Sequence, residues 1–434
     1  MDILEKRLPA TRYALYAALG MPLAFASLPL YVHVPNLYAT VSPLDLATIG
    51  FILLAVRSLD MVADPLIGSL SDSYQKHRRT IMAMAVPILA CGYFALFHPP
   101  GLSHRGPAAG WLAVSLIVTY AGFSILMINY YAMGIGLAHS AQEHTRVALW
   151  REGAMLIGVL AASILPSALM AALTPRAAYG MLAIILPILL TIAACVTLLP
   201  RSGPAKSPQS RFLPFGLLQN RRLRWLLFVI LVNALPLAIT STLFLFFVGD
   251  ILGVPNQAGL MLGLYFLSAV FGMPLWSRLS AVIGKISTLL ISMFAAICCF
   301  IWAALLGPGD AHAFYVICLL SGMTLGADTV LLPSLFAEEL VTAQSQLGAG
   351  FGWWNFLNKA ALALAAGITL PLLTAGGYRP GIANNAHALA LLSAAYALLP
   401  CGCKIAAAAA IYFSPLTRGD TIRLVSPGTS GGNL

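Results

Sequence analysis

Three charged residues interrupt an otherwise apolar stretch between residues 50 and 69. Arg57, Asp60 and Asp64 are three and four residues apart, so in an α-helix they lie on one face. A charge near the centre of a bilayer costs between about 3 and 10 kcal/mol, and such groups therefore face a protein interior or a watery cavity. Two carboxylates one turn apart repel each other, so one is readily protonated unless a cation lies between them. The triplet predicts an ion or substrate path.

The composition is that of a helical protein with many membrane-spanning segments. Of the 434 residues, 60% are hydrophobic and 9% are charged, against about 25% charged in soluble domains. Twelve apolar stretches reach the length of about 20 residues that a bilayer requires. They lie at about 13–35, 46–70, 80–98, 110–136, 147–172, 178–199, 225–249, 257–278, 286–306, 313–337, 347–374 and 387–413. We therefore expect an all-α integral membrane protein with twelve transmembrane helices.

Basic residues are distributed unevenly among the predicted loops. Most of the 24 Lys and Arg residues fall at the N-terminus, in alternate loops, in a central linker or in the tail. The loop between spans four and five, for example, holds Arg146 and Arg151. The positive-inside rule then places both termini in the cytoplasm. The net charge of +10 is read as a topology signal and not as a nucleic-acid footprint.

A long polar linker divides the predicted spans six and six. Residues 200–224 separate an N-terminal half at 1–199 from a C-terminal half at 225–414, and a flexible tail follows at 415–434. The segment PLIGSLS at 65–71 recurs as PLWSRLS at 274–280, and each copy precedes a short basic loop. Two pseudo-symmetric six-helix halves related by a parallel repeat are the architecture of major facilitator transporters, which the chain resembles.

The segment after the second span resembles the loop signature of that superfamily, G-x-L-x-D followed by basic residues. Here the glycine is Gly68, the aspartate is Asp72, and the cations include Arg78 and Arg79. A small residue lets the helix approach a neighbour closely, and the carboxylate can cap or brace an adjacent helix end. We expect a conformational loop; a generic cytoplasmic loop that only sets the topology is the alternative.

Four segments are similar to the glycoside–pentoside–hexuronide:cation symporters, the group of the melibiose permease. They are RSLDMVADPLIG at 57–68, NYYAM at 129–133, EHTRVALWR at 143–151 and WWNFLNK at 353–359. They resemble the family patterns R-x-x-D-x-x-x-D-P-x-x-G, N-V-P-Y-Y-A-L, E-R-T-R…R and W-x-F-x-x-K. The resemblance spans nearly the whole chain and implies a major facilitator fold.

The resemblance also implies roles for individual residues. In that family the two helix-two aspartates coordinate the coupling cation, Na⁺ or H⁺, together with a helix-four hydroxyl. Carried over, Asp60, Asp64 and Ser124 are the cation ligands, and Asp60 and Asp64 form a metal site if the ion is Na⁺. Lys359 is the opposing charge. The spacing of three residues would let Arg57 pair with Asp60 and keep it ionised. The alternative is a buried charge network that only locks the helices together.

The sequence departs from the family at the sugar-binding acids. Melibiose-type members place acids in helices one and four, at positions that align here with Pro22 and Met127. Asp328, in the tenth predicted span, is an additional acid that could bind substrate instead. It could equally pair with Lys404 or Lys359, and the sequence leaves these options open.

Aromatic residues near the expected cavity are further substrate candidates. An aromatic face stacks on the apolar side of a sugar ring, which points to Tyr131 and Trp354; packing between helices is the alternative role of these aromatics. Trp353 and Trp354 differ by about 100° around the helix, so both cannot line a cavity equally. Lys359 could also pair with an anionic substrate such as a uronide.

The sequence therefore predicts a transporter and not an enzyme. Its partners would be the bilayer, a coupling cation and a sugar, glycoside or uronide carried by alternating access. We expect a monomer without a cofactor in the bacterial inner membrane. One alternative is an amphiphile carrier, because the animal lysophosphatidylcholine symporter also keeps the helix-two aspartates and helix-eleven lysine. Another is a lipid-synthesis enzyme, since D-x-x-x-D is also a metal–diphosphate element, but the accompanying D-G-x-x-A-R segment is absent.

Overall fold

The computed structural model describes residues 9–101, 103–138, 140–198, 215–378 and 384–414, and within these ranges the chain is helical with no β-strand. Packing divides it into two compact units. The first contains the described part of Met1–Pro214 together with Gln344–Phe356, and the second contains that of Phe215–Ala343 and Leu357–Leu434. The predicted tail at 415–434 and most of the predicted linker lie outside the described residues.

The described part of residues 9–198 forms seven helices in sequence order, with a short 3₁₀ turn at Gln75–His77. They are α1 Ala10–Ala17, α2 Gly20–Val41, α3 Leu46–Ser73, α4 Arg78–Phe97, α5 Arg105–Ile135, α6 Ala141–Ala172 and α7 Pro175–Leu198. The first predicted span is interrupted between α1 and α2. Pro22 explains the interruption, because it has no N–H to donate to the carbonyl of Ala18 and its ring crowds that carbonyl.

The second unit is built from α8 Arg221–Phe246, α9 Ala258–Ile283, α10 Lys285–Phe300, α11 Ala311–Thr342, α13 Ala386–Tyr412 and most of α12 Leu347–Ala375. A π-helical turn at Phe247–Ile251 extends α8, and a 3₁₀ turn at Ile301–Leu305 extends α10. The sequence placed Arg221 in the linker, but it begins α8. The reason is a cap: the Asn220 side chain accepts hydrogen bonds from the N–H groups of Arg222 and Leu223.

Ten helical segments of the described chain, α4 to α13, are long and apolar enough to cross a membrane. The other two long helices are α2, with 22 residues, and α3, with 28. The α3 helix carries the charged triplet that the sequence singled out. The predicted all-α membrane fold is confirmed.

Glycines let α9 and α11 pack closely in the second unit. A Cβ atom at Gly322 would lie 2.2 Å from the carbonyl oxygen of Tyr265, and one at Gly272 would lie 2.3 Å from that of Met323. The Trp276 indole donates a hydrogen bond to the same Met323 carbonyl, at 2.8 Å. Small residues at such crossings bring the backbones of membrane helices together. This contact fixes α11 against α9 and so positions the part of α11 beyond Met323.

Candidate functional site

The first unit brings two of the three predicted cation ligands into contact. The Ser124 hydroxyl of α5 donates a hydrogen bond to Asp60 Oδ1 of α3, at 2.8 Å. Asp60 is 8% exposed and Ser124 is fully buried. A carboxylate and a hydroxyl oxygen therefore meet between two membrane helices, where few other polar groups are available.

Asp64 lies one helical turn beyond Asp60 and has no solvent exposure. The backbone there is in tight contact with Gly352 of α12, since a Cβ atom at Gly352 would lie 2.4 Å from the Asp64 carbonyl oxygen. Pro65 follows directly and has no N–H, so the carbonyl of Met61 does not receive the usual helical hydrogen bond from residue 65. This segment of α3 thus offers two carboxylates and a backbone carbonyl within about one turn.

The two predicted members of the charge network lie in different units. Arg57 is half-buried on α3, one turn before Asp60. Lys359 is half-buried on the part of α12 that belongs to the second unit. The opposition of Lys359 to the aspartates stays a prediction.

The predicted brace at the end of α3 is present. Asp72 Oδ1 accepts a hydrogen bond from the N–H of Gly348, and Oδ2 accepts one from that of Ala349, both at 2.8 Å. These N–H groups open α12, where a helix has no carbonyl partners of its own for them. Arg78, at the start of α4, pairs with the same carboxylate at 2.9 Å. Arg79 is the next residue of α4 and is half-buried.

Gly68 permits the close approach at this brace. A Cβ atom at Gly68 would lie 2.1 Å from the carbonyl oxygen of Gly348, closer than any real contact. The predicted glycine is therefore required by geometry where α3 meets the start of α12.

Tyr131 lies within a charged network that the sequence did not reveal. Its hydroxyl donates a hydrogen bond to Glu152 Oε1 at 3.0 Å, and the Arg151 guanidinium lies 3.7 Å from the centre of its ring. Arg151 also pairs with Glu152 at 2.9 Å and is 4% exposed. The positive-inside assignment placed Arg151 in a loop, although the predicted span begins at about 147, and this assignment was wrong because Arg151 lies within α6.

A local signal could have found this network. Ser140 caps α6 by accepting a hydrogen bond from the N–H of Glu143, at 3.3 Å. Ser140 and Glu143 are spaced as in the S-x-x-E capping box, which marks a helix start at residue 141. That start places Arg151 and Glu152 nearly three turns inside a membrane helix, where charges need partners.

The aromatic residues at the start of α12 pack beside Tyr131. The Phe351 ring lies 5.0 Å from the Tyr131 ring and 6.3 Å from that of Trp354. Trp353 instead packs against Phe356 at 5.2 Å, so the two tryptophans have different neighbours, as their spacing predicted. Trp354 is half-buried, whereas Tyr131 is only 6% exposed and its hydroxyl is already bonded.

Asp328 of α11 pairs with Lys404 of α13, one of the partners that the sequence left open. Lys404 also donates a hydrogen bond to Asn233 Oδ1 of α8, at 2.8 Å. Three helices of the second unit are thereby joined by polar groups in their membrane-spanning parts.

The helical fold and the charged α3 define a major facilitator transporter. Residues 15–418 match the family described as MFS/sugar transport protein, and the chain belongs to that family. The predicted superfamily is thus confirmed: the protein is a multi-pass membrane transporter and not an enzyme. No curated protein matches the sequence significantly.

Solved structures show the same fold at low sequence identity. The chain is similar to a bacterial homologue of the iron transporter ferroportin, crystallised in an outward-facing state with soaked iron. The identity is 18% and the TM-score 0.69, over 92% of this chain and 99% of that one. It is also similar to the fucose:proton symporter of E. coli in its outward conformation, with 13% identity and a TM-score of 0.68 over 93% and 98% of the chains. These likenesses establish the fold alone.

Proposed function

We propose that this transporter is a symporter that couples Na⁺ or H⁺ to the uptake of a small polar solute by alternating access. The solute class is a sugar, glycoside or uronide, and the protein lies in the bacterial inner membrane as a monomer with both termini in the cytoplasm. The observation that carries the proposal is the hydrogen bond between Ser124 and Asp60, one turn from the buried Asp64.

The chemistry of these groups suits a hard cation or a proton. Na⁺ prefers oxygen ligands, and the Asp60 and Asp64 carboxylates, the Ser124 hydroxyl and the Met61 carbonyl supply them. For H⁺, the mutual repulsion of the two carboxylates favours protonation of one. Loss of either cation restores the repulsion, so occupancy of the site changes the energy of the helices around it.

The membrane potential supplies enough free energy to accumulate the solute. Moving one elementary charge down the membrane potential supplies about 2.3 kcal/mol per 100 mV, which corresponds to a concentration ratio of about fiftyfold. As the family resemblance implies, Arg57 and Lys359 would balance the charge of the empty carboxylates, and Lys359 would pair with an anionic solute once a cation is bound.

Gradient-driven uptake tests the proposal. Proteoliposomes containing the wild type or Asp64→Asn would be given labelled sugars, glycosides and uronides under an imposed Na⁺ or H⁺ gradient. We expect the wild type to accumulate a solute from one gradient and Asp64→Asn to lose the gradient dependence. Asp45→Asn is the matched control, because Asp45 is exposed just before the same helix. Undiminished gradient-driven uptake by Asp64→Asn would show that the cation-site assignment is wrong.

A second candidate is a cation-coupled carrier of an amphiphile such as a lysophospholipid. Pro22 and Met127 favour it, because both are buried and neither offers a side-chain acceptor for a sugar hydroxyl. Vesicle uptake of radiolabelled glycosides and of lysophosphatidylcholine, measured side by side, separates the two candidates.

A further inference from the structure

The second unit contains a cavity of about 120 Å³ between its helices. One water molecule needs only about 10–15 Å³ of such space, so the cavity has room for a solute of several non-hydrogen atoms. It lies entirely within the second unit and contains none of the proposed cation ligands.

The Asp328–Lys404 pair and Asn233 line one part of this cavity. The pair is largely buried, with side-chain exposures of 16% for Asp328 and 9% for Lys404. Asp328 Oδ2 faces Lys404, while Oδ1 is buried and accepts no hydrogen bond within the described residues. Lys404 donates to Asp328 and Asn233, which leaves the third N–H of its ammonium group for another acceptor. The cluster therefore offers one acceptor and one donor and has no net charge.

The rest of the lining combines hydroxyl groups with aromatic rings. The hydroxyls of Ser321 and Thr324 donate to backbone carbonyls, so their oxygens remain acceptors towards the cavity. The rings of Tyr265 and Phe266, also in the lining, lie edge to face at 5.3 Å. Such a wall matches a ligand with donors on its edge and an apolar face.

We propose that this cavity is the site that binds an uncharged polyhydroxylated solute, with Asp328 and Lys404 holding one of its hydroxyl groups. A hydroxyl is donor and acceptor at once, so it satisfies both Asp328 Oδ1 and the remaining N–H of Lys404. A carboxylate would meet Asp328 with repulsion, and an ammonium would meet Lys404 in the same way. This inference rests on the proposed function and names the solute site and solute class of that symporter.

A purely structural role is the competing explanation, since a buried pair also ties three helices together. The two roles differ in their effect on binding. Exchanging both charged groups for neutral amides weakens the hydrogen bonds to a bound hydroxyl but leaves no unpaired charge, so the fold is retained. The binding role predicts weaker ligand binding in such a protein, and the structural role predicts no change in binding.

Protection from alkylation in purified protein, without any ion gradient, tests the inference. Ser241→Cys introduces a thiol into the exposed part of the lining, and peptide mass spectrometry reads its reaction with N-ethylmaleimide. Cys298, which is exposed, serves as an internal standard. D-Glucose, D-galactose, D-xylose and methyl β-D-glucoside are the probes, with D-glucuronate and lysophosphatidylcholine as comparison compounds.

We expect at least one neutral sugar to slow labelling of the introduced cysteine and not of Cys298. Adding Asp328→Asn with Lys404→Gln should weaken this protection about tenfold or more, because two charge-assisted hydrogen bonds are lost. The control removes a different ion pair of this unit, outside the cavity lining, with Lys285→Gln and Glu338→Gln, and should retain protection.

Each other result overturns the inference. Protection by none of the neutral sugars, protection by lysophosphatidylcholine alone, or full protection in the Asp328 and Lys404 double variant would each contradict it. Gradient-driven uptake of a solute in the same preparation would then leave the proposed symport standing. Conversely, protection without gradient-driven uptake would retain the site and reject the symport.

Discussion

Asp72 and Gly348 are 276 residues apart in the chain, yet the N–H of Gly348 donates a hydrogen bond to the Asp72 carboxylate at 2.8 Å. The same carboxylate accepts the N–H of Ala349 and pairs with Arg78. One side chain thus joins the end of α3 and the start of α4 to the first turn of α12.

Asp72→Asn should destabilise the protein by about 1 to 3 kcal/mol. The amide keeps one acceptor oxygen, but its NH₂ group faces an N–H of α12, and the charge opposite Arg78 is lost. Thermal unfolding in detergent measures the effect. Asp310→Asn is the control, because Asp310 also accepts a backbone N–H, that of Gly307, at an exposed position. Equal melting temperatures for the two variants would contradict the claim that the contacts of Asp72 with α12 and Arg78 stabilise the protein.

Gly68→Ala should be more damaging than its size suggests. The added methyl would lie 2.1 Å from the Gly348 carbonyl oxygen, and a backbone atom cannot move aside cheaply. Overpacking of this kind costs about 1 to 3 kcal/mol. Gly50→Ala in the same helix meets nothing within 4 Å and should be neutral or slightly stabilising. Comparison of the two melting temperatures shows whether the effect of a glycine-to-alanine change in α3 is set by the close approach to α12 or by helix propensity.

Ser124→Ala tests the hydroxyl of the proposed cation site. Loss of one ligand should raise the cation concentration needed for half-maximal uptake by about tenfold, while Ser124→Thr should stay near the wild type. Ser115→Ala is the matched control: it is buried in the same helix, but its hydroxyl donates to the carbonyls of Trp111 and Leu112. An equal shift in both alanine variants would mean that the hydroxyl acts through the helix and not through the cation.

The residues of α3 could be predicted from sequence because their information is local. Charges at spacings of three and four in an apolar segment must share a face, and the cost of a charge in the bilayer predicts a functional role for that face. The contacts of Gly68 and Asp72 at the end of α3 could also be predicted from the sequence. A close approach of two helices needs a small side chain, and the N–H groups at a helix start need an acceptor. Ser124 came from a family resemblance, and the structure places it against Asp60.

Partner choice between distant helices could not be read from the chain. Asp328 had two candidate cations in the sequence, and only the arrangement of α8, α11 and α13 decides for Lys404. The error at Arg151 had a different cause. The positive-inside rule reads a basic residue near a predicted loop as a topology signal, although the cap at Ser140 begins α6 well before Arg151.

The Arg151–Glu152 pair should behave as one energetic unit. Arg151→Gln or Glu152→Gln alone leaves the other charge buried and should cost about 3 to 5 kcal/mol. The double variant removes both charges, so its cost should fall well below the sum of the two, and the difference measures their coupling. Chemical unfolding in mixed micelles gives the four free energies of the cycle. Additive costs would mean that each residue acts through other neighbours, such as the Tyr131 ring that lies against Arg151.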